Sequence, residues 1–343
     1  MRTENNSYNT LKHMREQSKI TRHTILSGAI VALAFAIVGT VLLFSSHAAT
    51  PTAVEPENGT LTTATSVTDS TASGGKAVKF GSGTAVDDTN KKCSQITGLK
   101  FCDDFDTSAG TYPDSTKWNV FASGSSWGSQ CWQKNPNNIS TDGQGNLKLT
   151  VIDTGTTLCT NSYGVASTYS SGGMDTSGKF TTKFGRIEFR AKLSCADSIW
   201  GSFWLSTGTG PGWPGSGEID VYELGYLKFY RLQQTFNVPT TSGTNPWVDP
   251  TYVDLPTTQR WCDAYHIYGV DWRQDSIQFM VDRQPTAKLT PATIPSNATW
   301  PFNTYDLRIL IDQQYGMSGK WTGAPNPAQL PTSTLVDWVR VYN

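Results

Sequence analysis

Apolar and polar residues alternate with a period of two along much of the chain beyond residue 92, and no useful run after residue 50 has the 3.6-residue period of an amphipathic helix. Residues 145–151, 186–193, 276–281 and 335–342 are the clearest cases, rich in β-branched and aromatic side chains. Asp282, Arg283 and Gln284 read as a turn. Many strands without helices leave a sandwich of antiparallel sheets as the expected architecture. Nothing repeats at a fixed period, which excludes propellers and solenoids. Residues 92–343 are long enough to form one all-β unit.

Composition agrees with this class. Aromatics make up 11% of the chain, with 12 Trp and 31 Gly, while charged residues reach only 16%. That balance suits turn-rich β structure with flat aromatic surfaces. The net charge of −1 supplies no basic field for nucleic acid.

The N-terminus has a different texture. Residues 25–44 form an uncharged, mostly apolar run long enough to cross a bilayer as a helix. Arg2, Lys12, Arg15, Lys19 and Arg22 precede it, and no Lys or Arg follows until Lys76. The positive-inside rule therefore puts residues 1–24 in the cytoplasm and everything after the run outside. The run reads either as a permanent anchor or as a signal peptide cut near Ala48 or Ala49, and both export the remainder. Residues 45–91 are rich in Thr, Ser and Gly and read as a flexible spacer. Cys93, Cys102, Cys131, Cys159, Cys195 and Cys262 all lie beyond the apolar run, without metal or redox spacing. An even set in an exported region reads as disulfides, with the pairing left open.

The chemistry concentrates in residues 213–224. Glu218, Asp220 and Glu223 stand within six residues of an apolar, strand-forming segment, where like charges on one face repel. Glu218 and Asp220 share a face, but a regular strand points Glu223 the other way. A β-bulge between Asp220 and Glu223 returns all three to one face. Such a row suits glycosidic cleavage, which needs one carboxylic acid to protonate the leaving oxygen and one carboxylate to attack or assist at the anomeric carbon. Crowding pushes carboxyl pKa values apart, so that one stays protonated while another ionises. A metal site is the competing reading, although calcium sites usually come from loops rather than one apolar strand.

The segment from Glu218 to Glu223, led by Trp213, Pro214 and Gly217, resembles the bulged signature of glycoside hydrolase family 16, the laminarinase-like enzymes. Residues 99–105, 184–193, 200–205, 265–272, 300–302 and 336–342 are similar to further family segments in the same order, so the resemblance covers about residues 92–343. It implies a β-jelly-roll with a cleft across its concave sheet, and retention of anomeric configuration. It implies Glu218 as nucleophile, Glu223 as general acid/base and Asp220 as assisting carboxylate, with the two working carboxyls about 5–5.5 Å apart. The sequence departs from the family in two places. The stretch 232–237 lacks the cleft-facing His that family members often carry, and residues 311–316 differ from the commoner Asn and Gly-Gly pattern.

Sugar rings present flat faces that pack on aromatic side chains. Trp200 and Trp213 are the first candidates for a sugar platform by their place in the matched motifs, with Trp127, Trp132 and Trp321 as loop candidates. Trp204 and Trp338 are expected in the core. No cofactor is required. Some relatives bind a structural calcium, and the matching positions here are Asp337 and the backbone of Gly145. The expected molecule is a monomeric, exported hydrolase that cuts internal β-1,3 or mixed β-1,3/1,4 glucan linkages. A transglycosylase or galactanase on the same fold is one alternative, and a tethered non-catalytic glycan-binding module is the other.

Overall fold

The alternating segments pair into two large sheets, mainly antiparallel, whose facing sides form the core. This is a computed structural model, and it describes residues 64–68, 76–80, 87–125, 127–161, 163–225, 228–243, 246–316 and 322–343. The apolar run 25–44 and its basic flank lie outside the described residues, as does Trp321. Among the described residues no helix is long and apolar enough to cross a membrane.

The chain divides into two units, Met1–Asp87 and Asp88–Asn343. Within the first, Ala64–Thr68 pairs antiparallel with Lys76–Phe80. The spacer is therefore not structureless throughout. A lone two-stranded ribbon of this size is marginal on its own.

In the second unit the seven-stranded sheet runs in the order Trp247–Asp254, Arg231–Val238, Glu218–Leu224, Ile199–Thr207, Leu307–Tyr315, Gly173–Asp175, Asn119–Val120. The larger sheet contains Gly185–Lys192, His266–Arg273, Ser276–Val281 and Thr332–Tyr342. The strands expected from alternation are all present, and among the described residues the only helical pieces are the 3₁₀ turns Cys93–Gln95 and Pro327–Gln329. Asp282 and Arg283 both have positive φ, which fits the tight hairpin turn expected there. Between the sheets Phe236 stacks on Phe279 at 4.1 Å and Tyr222 lies 5.0 Å from Tyr268. These ring pairs join residues of opposite sheets in one buried cluster.

The six cysteines pair as Cys93–Cys102, Cys131–Cys159 and Cys195–Cys262. Closing the longest of these loops removes more unfolded-chain entropy than closing the shortest, roughly 4 against roughly 2.5 kcal/mol on the chain-entropy estimate.

The compact unit starts at Asp88, slightly ahead of the texture change, because long-range partners hold its first residues. Arg340 donates to the Asp88 carbonyl and to that of Lys91, and Trp338 donates to the Thr89 carbonyl. Trp338 is buried as expected, but it packs beneath this segment and against the Arg340 guanidinium rather than in the main core cluster.

Candidate active site

The strand Glu218–Leu224 starts from Gly217, whose φ of +75° a residue with a Cβ rarely adopts. A Cβ there would also sit 2.6 Å from the Phe302 ring. From Glu218 the strand alternates, with Ile219 in the core and Asp220 turned toward the opposite side. The alternation then breaks. Against Arg231–Val238, Asp220 pairs with Thr235 and Glu223 with Gln233, so Val221 and Tyr222 together oppose Gln234 alone. The same irregularity appears against Ile199–Thr207, where Trp204 faces Asp220 and Phe203 faces Tyr222. This is the bulge that the spacing required. Val221 and Tyr222 both turn into the core, and Glu223 rejoins Glu218 and Asp220 on the cleft side.

Two residues outside the motif accommodate the bulge. Gln234, fully buried, donates from Nε2 to the Val221 carbonyl at 3.1 Å, and its Oε1 accepts from Thr286. A carbonyl inside the bulge thus has a partner, which a buried carbonyl needs. Gly201 makes room for the extra aromatic, since a Cβ there would lie 2.8 Å from the Tyr222 hydroxyl.

The three acids line a cleft of about 810 Å³. The neighbouring strand holds them in order. Asn237 Nδ2 donates to Glu218 Oε1 at 3.0 Å and to Asp220 Oδ2 at 2.9 Å. Glu223 Oε2 accepts from Thr235 Oγ1 at 3.1 Å and from Gln233 Nε2 at 3.2 Å. Glu223 Oε1 accepts from Trp200 Nε1 at 3.1 Å. Thr235, Gln233 and Asn237 occupy the stretch that lacks the family's His. Their roles were not legible before the structure, although the i, i+2, i+4 spacing already placed them on one face.

Burial raises all three carboxyl pKa values. Glu218 is pushed up to about 8, first by burial and then by the Glu223 charge, while hydrogen bonds from Trp213 and Ser206 oppose the shift. Asp220 is raised well above the ordinary range by burial and by the charges of Glu218 and Glu223. Burial also raises Glu223, against its bonds from Thr235, Trp200 and Gln233. A fourth acid, Asp312, sits behind the cleft wall. Burial pushes it up to about 7, and Trp204 Nε1 donates to it at 2.8 Å. The cluster therefore retains protons at neutral pH, where exposed carboxyls would have lost them.

The aromatic candidates separate. Trp200, Trp213 and Trp127 line the cleft, and Trp213 and Trp127 are about half exposed. Trp132 does not line it. It is buried at 6% exposure, with its ring 6.2 Å behind that of Trp127. Trp204, expected in the core, instead lines the cleft wall, because its position on Ile199–Thr207 shares a face with Trp200 and Ser206.

At the calcium candidates, Asp337 is held by the Arg190 guanidinium, and the position of a Cβ on Gly145 lies 3.6 Å from the Lys92 ammonium, 3.7 Å from Asp106 Oδ1 and 3.9 Å from the Asp104 carbonyl oxygen.

Comparisons with known proteins agree with this geometry. A glucan endo-1,3-beta-glucosidase A1 of Niallia circulans is 32% identical over 186 residues, covering 51% of this chain and 26% of the relative. A keratan-sulfate endo-1,4-beta-galactosidase of Sphingobacterium multivorum is 31% identical over 250 residues, covering 71% of this chain and 54% of the relative. The chain thus spans about a quarter and about half the length of these two curated relatives. The crystal structure of a laminarinase catalytic domain from Thermotoga maritima superposes with a TM-score of 0.62 at 25% identity, covering 71% of this chain and 97% of that domain. The family profile of the glycosyl hydrolases family 16 matches residues 125–339, more than half of the chain and all three acids, and the chain belongs to that family.

Proposed function

We propose that this domain is a retaining endo-glycosidase acting on β-1,3 or mixed β-1,3/1,4 glucan, with Glu218 as nucleophile and Glu223 as general acid/base. The observation that carries this reading is the bulge, which brings both glutamates to one face of a cleft with Asp220 between them. Glu223, whose carboxyl pKa burial raises, gives its proton to the leaving glycosidic oxygen. Glu218, in its ionised form, attacks the anomeric carbon as the bond to the leaving oxygen breaks, and forms a glycosyl–enzyme ester. Asn237 ties Glu218 to Asp220, so the nucleophile stays aligned as its charge changes. Glu223, now ionised, draws a proton from water, and that water releases the sugar with retained configuration. Trp200 and Trp213 flank the acids and suit the apolar faces of sugar rings.

The test is reducing-sugar release from laminarin, lichenan, agarose and carrageenan by the wild-type chain and by Glu218→Gln. Release from a glucan, lost in the variant, is the expected result. Activity that survives Glu218→Gln would sink the mechanism. Binding without release from any polymer would favour a non-catalytic module.

A galactan is the second reading. It is favoured by the similarity to the Sphingobacterium enzyme and by Thr235 and Gln233 in the stretch that lacks the family's His. The domain would act outside the cytoplasm. The basic-then-apolar N-terminus and three disulfides support export, as anchor or cleaved signal. Membrane fractionation of the expressed chain tests this, since recovery in the soluble cytoplasmic fraction with reduced cysteines would refute it.

A further inference from the structure

Asp312 is a buried acid that the bond-breaking steps leave unused. It lies in the stretch 311–316, where the sequence departs from the family's commoner pattern, and it is 1% exposed. The register puts it in a row with the general acid. Ser202 is the cross-strand partner of Glu223 on one side and of Asp312 on the other, so the three stand side by side on adjacent strands and share a face. Cross-strand partners have Cβ atoms about 4.5–5.5 Å apart. Asp312 Oδ2 accepts from Trp204 Nε1 at 2.8 Å, while Oδ1 and the neighbouring Ser202 hydroxyl are buried without a partner. Among the described residues no cation pairs with Asp312. Arg308, four residues earlier on its strand, is held by Asp175 of the adjoining strand at 3.2 Å. On Glu218–Leu224 the charges that act with Asp312 are Glu223 and Asp220, with the Tyr222 phenol beneath, and Ile199–Thr207 sets only the neutral Ser202 and Trp204 against it. Burial, opposed by bonds from Trp204 and Gln314 and reinforced by the Glu223 charge, pushes the Asp312 pKa up to about 7.

We infer that Asp312 is a positioning residue for the general acid, joined to Glu223 through the Ser202 hydroxyl, and that it sets how far into the alkaline range Glu223 keeps its proton. It rests on the acid role proposed for Glu223. Two carboxyls in one buried row titrate as a pair, and the coupling is reciprocal: once one is ionised, the other is harder to ionise. The Ser202 hydroxyl between them has one proton and a free rotor. Turned one way it donates to Glu223, and turned the other way it donates to the open Oδ1 of Asp312. It serves one carboxylate at a time, so the row accommodates one negative charge well and two poorly. The last proton is therefore held to higher pH than either acid would hold it alone. Glu223 remains a proton donor under conditions in which a lone carboxyl in its place is already spent.

The test is the pH profile of kcat/KM, which reports the ionisations of the free enzyme, on the polymer that the wild type cleaves. Asp312→Asn keeps an acceptor for Trp204 and removes the second charge. Its alkaline limb should move to lower pH by about half a unit to one unit, so that above the limb its activity falls about three- to tenfold further from its own maximum than that of the wild type. Ser202→Ala removes the donor that steadies the first charge and should move the limb the other way, by a smaller step. Melting temperatures would show that the variants fold, and if Asp312→Asn does not, the direction of the Ser202→Ala shift decides alone. A merely structural role for Asp312 would lower the rate alike at every pH. An alkaline limb that stays at the wild-type position in the folded variants would overturn the inference while leaving the proposed hydrolase intact. Glu223→Gln with full activity would overturn the acid role of Glu223, and the inference with it.

Discussion

The molecule buries acids in two places and treats them oppositely. In the cleft, Glu218, Asp220, Glu223 and Asp312 are packed together, and their hydrogen-bond donors are neutral side chains. On the larger sheet, Glu188 is fully buried but lies against Arg186 and Arg283, while Asp88 and Asp104 lie against Arg340. Burial alone would raise Asp88. Bonds from Arg283 and Tyr342, with the charges of Arg283 and Arg340, outweigh it and hold Asp88 below the usual range. The acids of the cleft form no ion pair with a cation among the described residues and are raised. Burial is common to both places, so the counter-charge decides whether an acid is a structural anchor or a proton carrier.

The strongest way to break the comparison is to neutralise one acid on each side. Glu218→Gln should lower the rate of polymer cleavage at least about a thousandfold, measured by reducing-sugar release. It should also leave the melting temperature unchanged or raise it, because a buried carboxyl crowded by other acids is replaced by a neutral amide. Arg340→Met should do the reverse. It leaves Asp104 without its cation and Asp88 with Arg283 alone, and should cost about 3–5 kcal/mol in denaturant unfolding, with kcat near wild type below the melting transition. If Arg340→Met kills activity in a folded protein, the two regions are not separable.

The next largest effect concerns the bulge. Gln234→Leu removes the donor to the Val221 carbonyl without touching the cleft. It should cost about 1–3 kcal/mol of stability. It should also lower kcat by about ten- to a hundredfold, through a small displacement of Glu223. Full activity in this variant would mean that the bulge holds itself.

The pH dependence of stability gives the sharpest contrast. Glu218 has a folded pKa raised from 4.5 to about 8, so the folded state binds the extra proton between those values. Its contribution is full below the unfolded pKa and is lost as pH rises toward about 8. Asp88 is lowered from 3.8, so its contribution is present above that value and lost as pH falls through the depressed one. Melting curves across pH should therefore flatten between about pH 5 and 8 in Glu218→Gln. In Asp88→Asn they should flatten only in acid. Identical pH profiles in the two variants would remove the distinction drawn here.

Much of this was legible in the residues. The order Glu218, Asp220, Glu223 and the broken alternation after Asp220 demanded a bulge, since a period of two cannot otherwise bring positions five apart to one face. The residues that support it were not legible. Gln233, Gln234 and Thr235 form an ordinary polar run until the register sets Gln234 opposite the bulge and its neighbours beside Glu223. Trp204 and Trp132 were misplaced for a related reason. Alternation tells which residues share a face, but not which face of a strand meets the other sheet and which meets the cleft.

The sequence by itself determined the strands, the family likeness and the crowded acids, because these depend on local period and on residue type. The tertiary structure alone decided which acids have cations, which Trp rings reach the cleft, which cysteines pair and which acceptors at the Glu223 end stay open. Each of these depends on side chains that are brought together from distant parts of the chain, and no local pattern encodes that proximity.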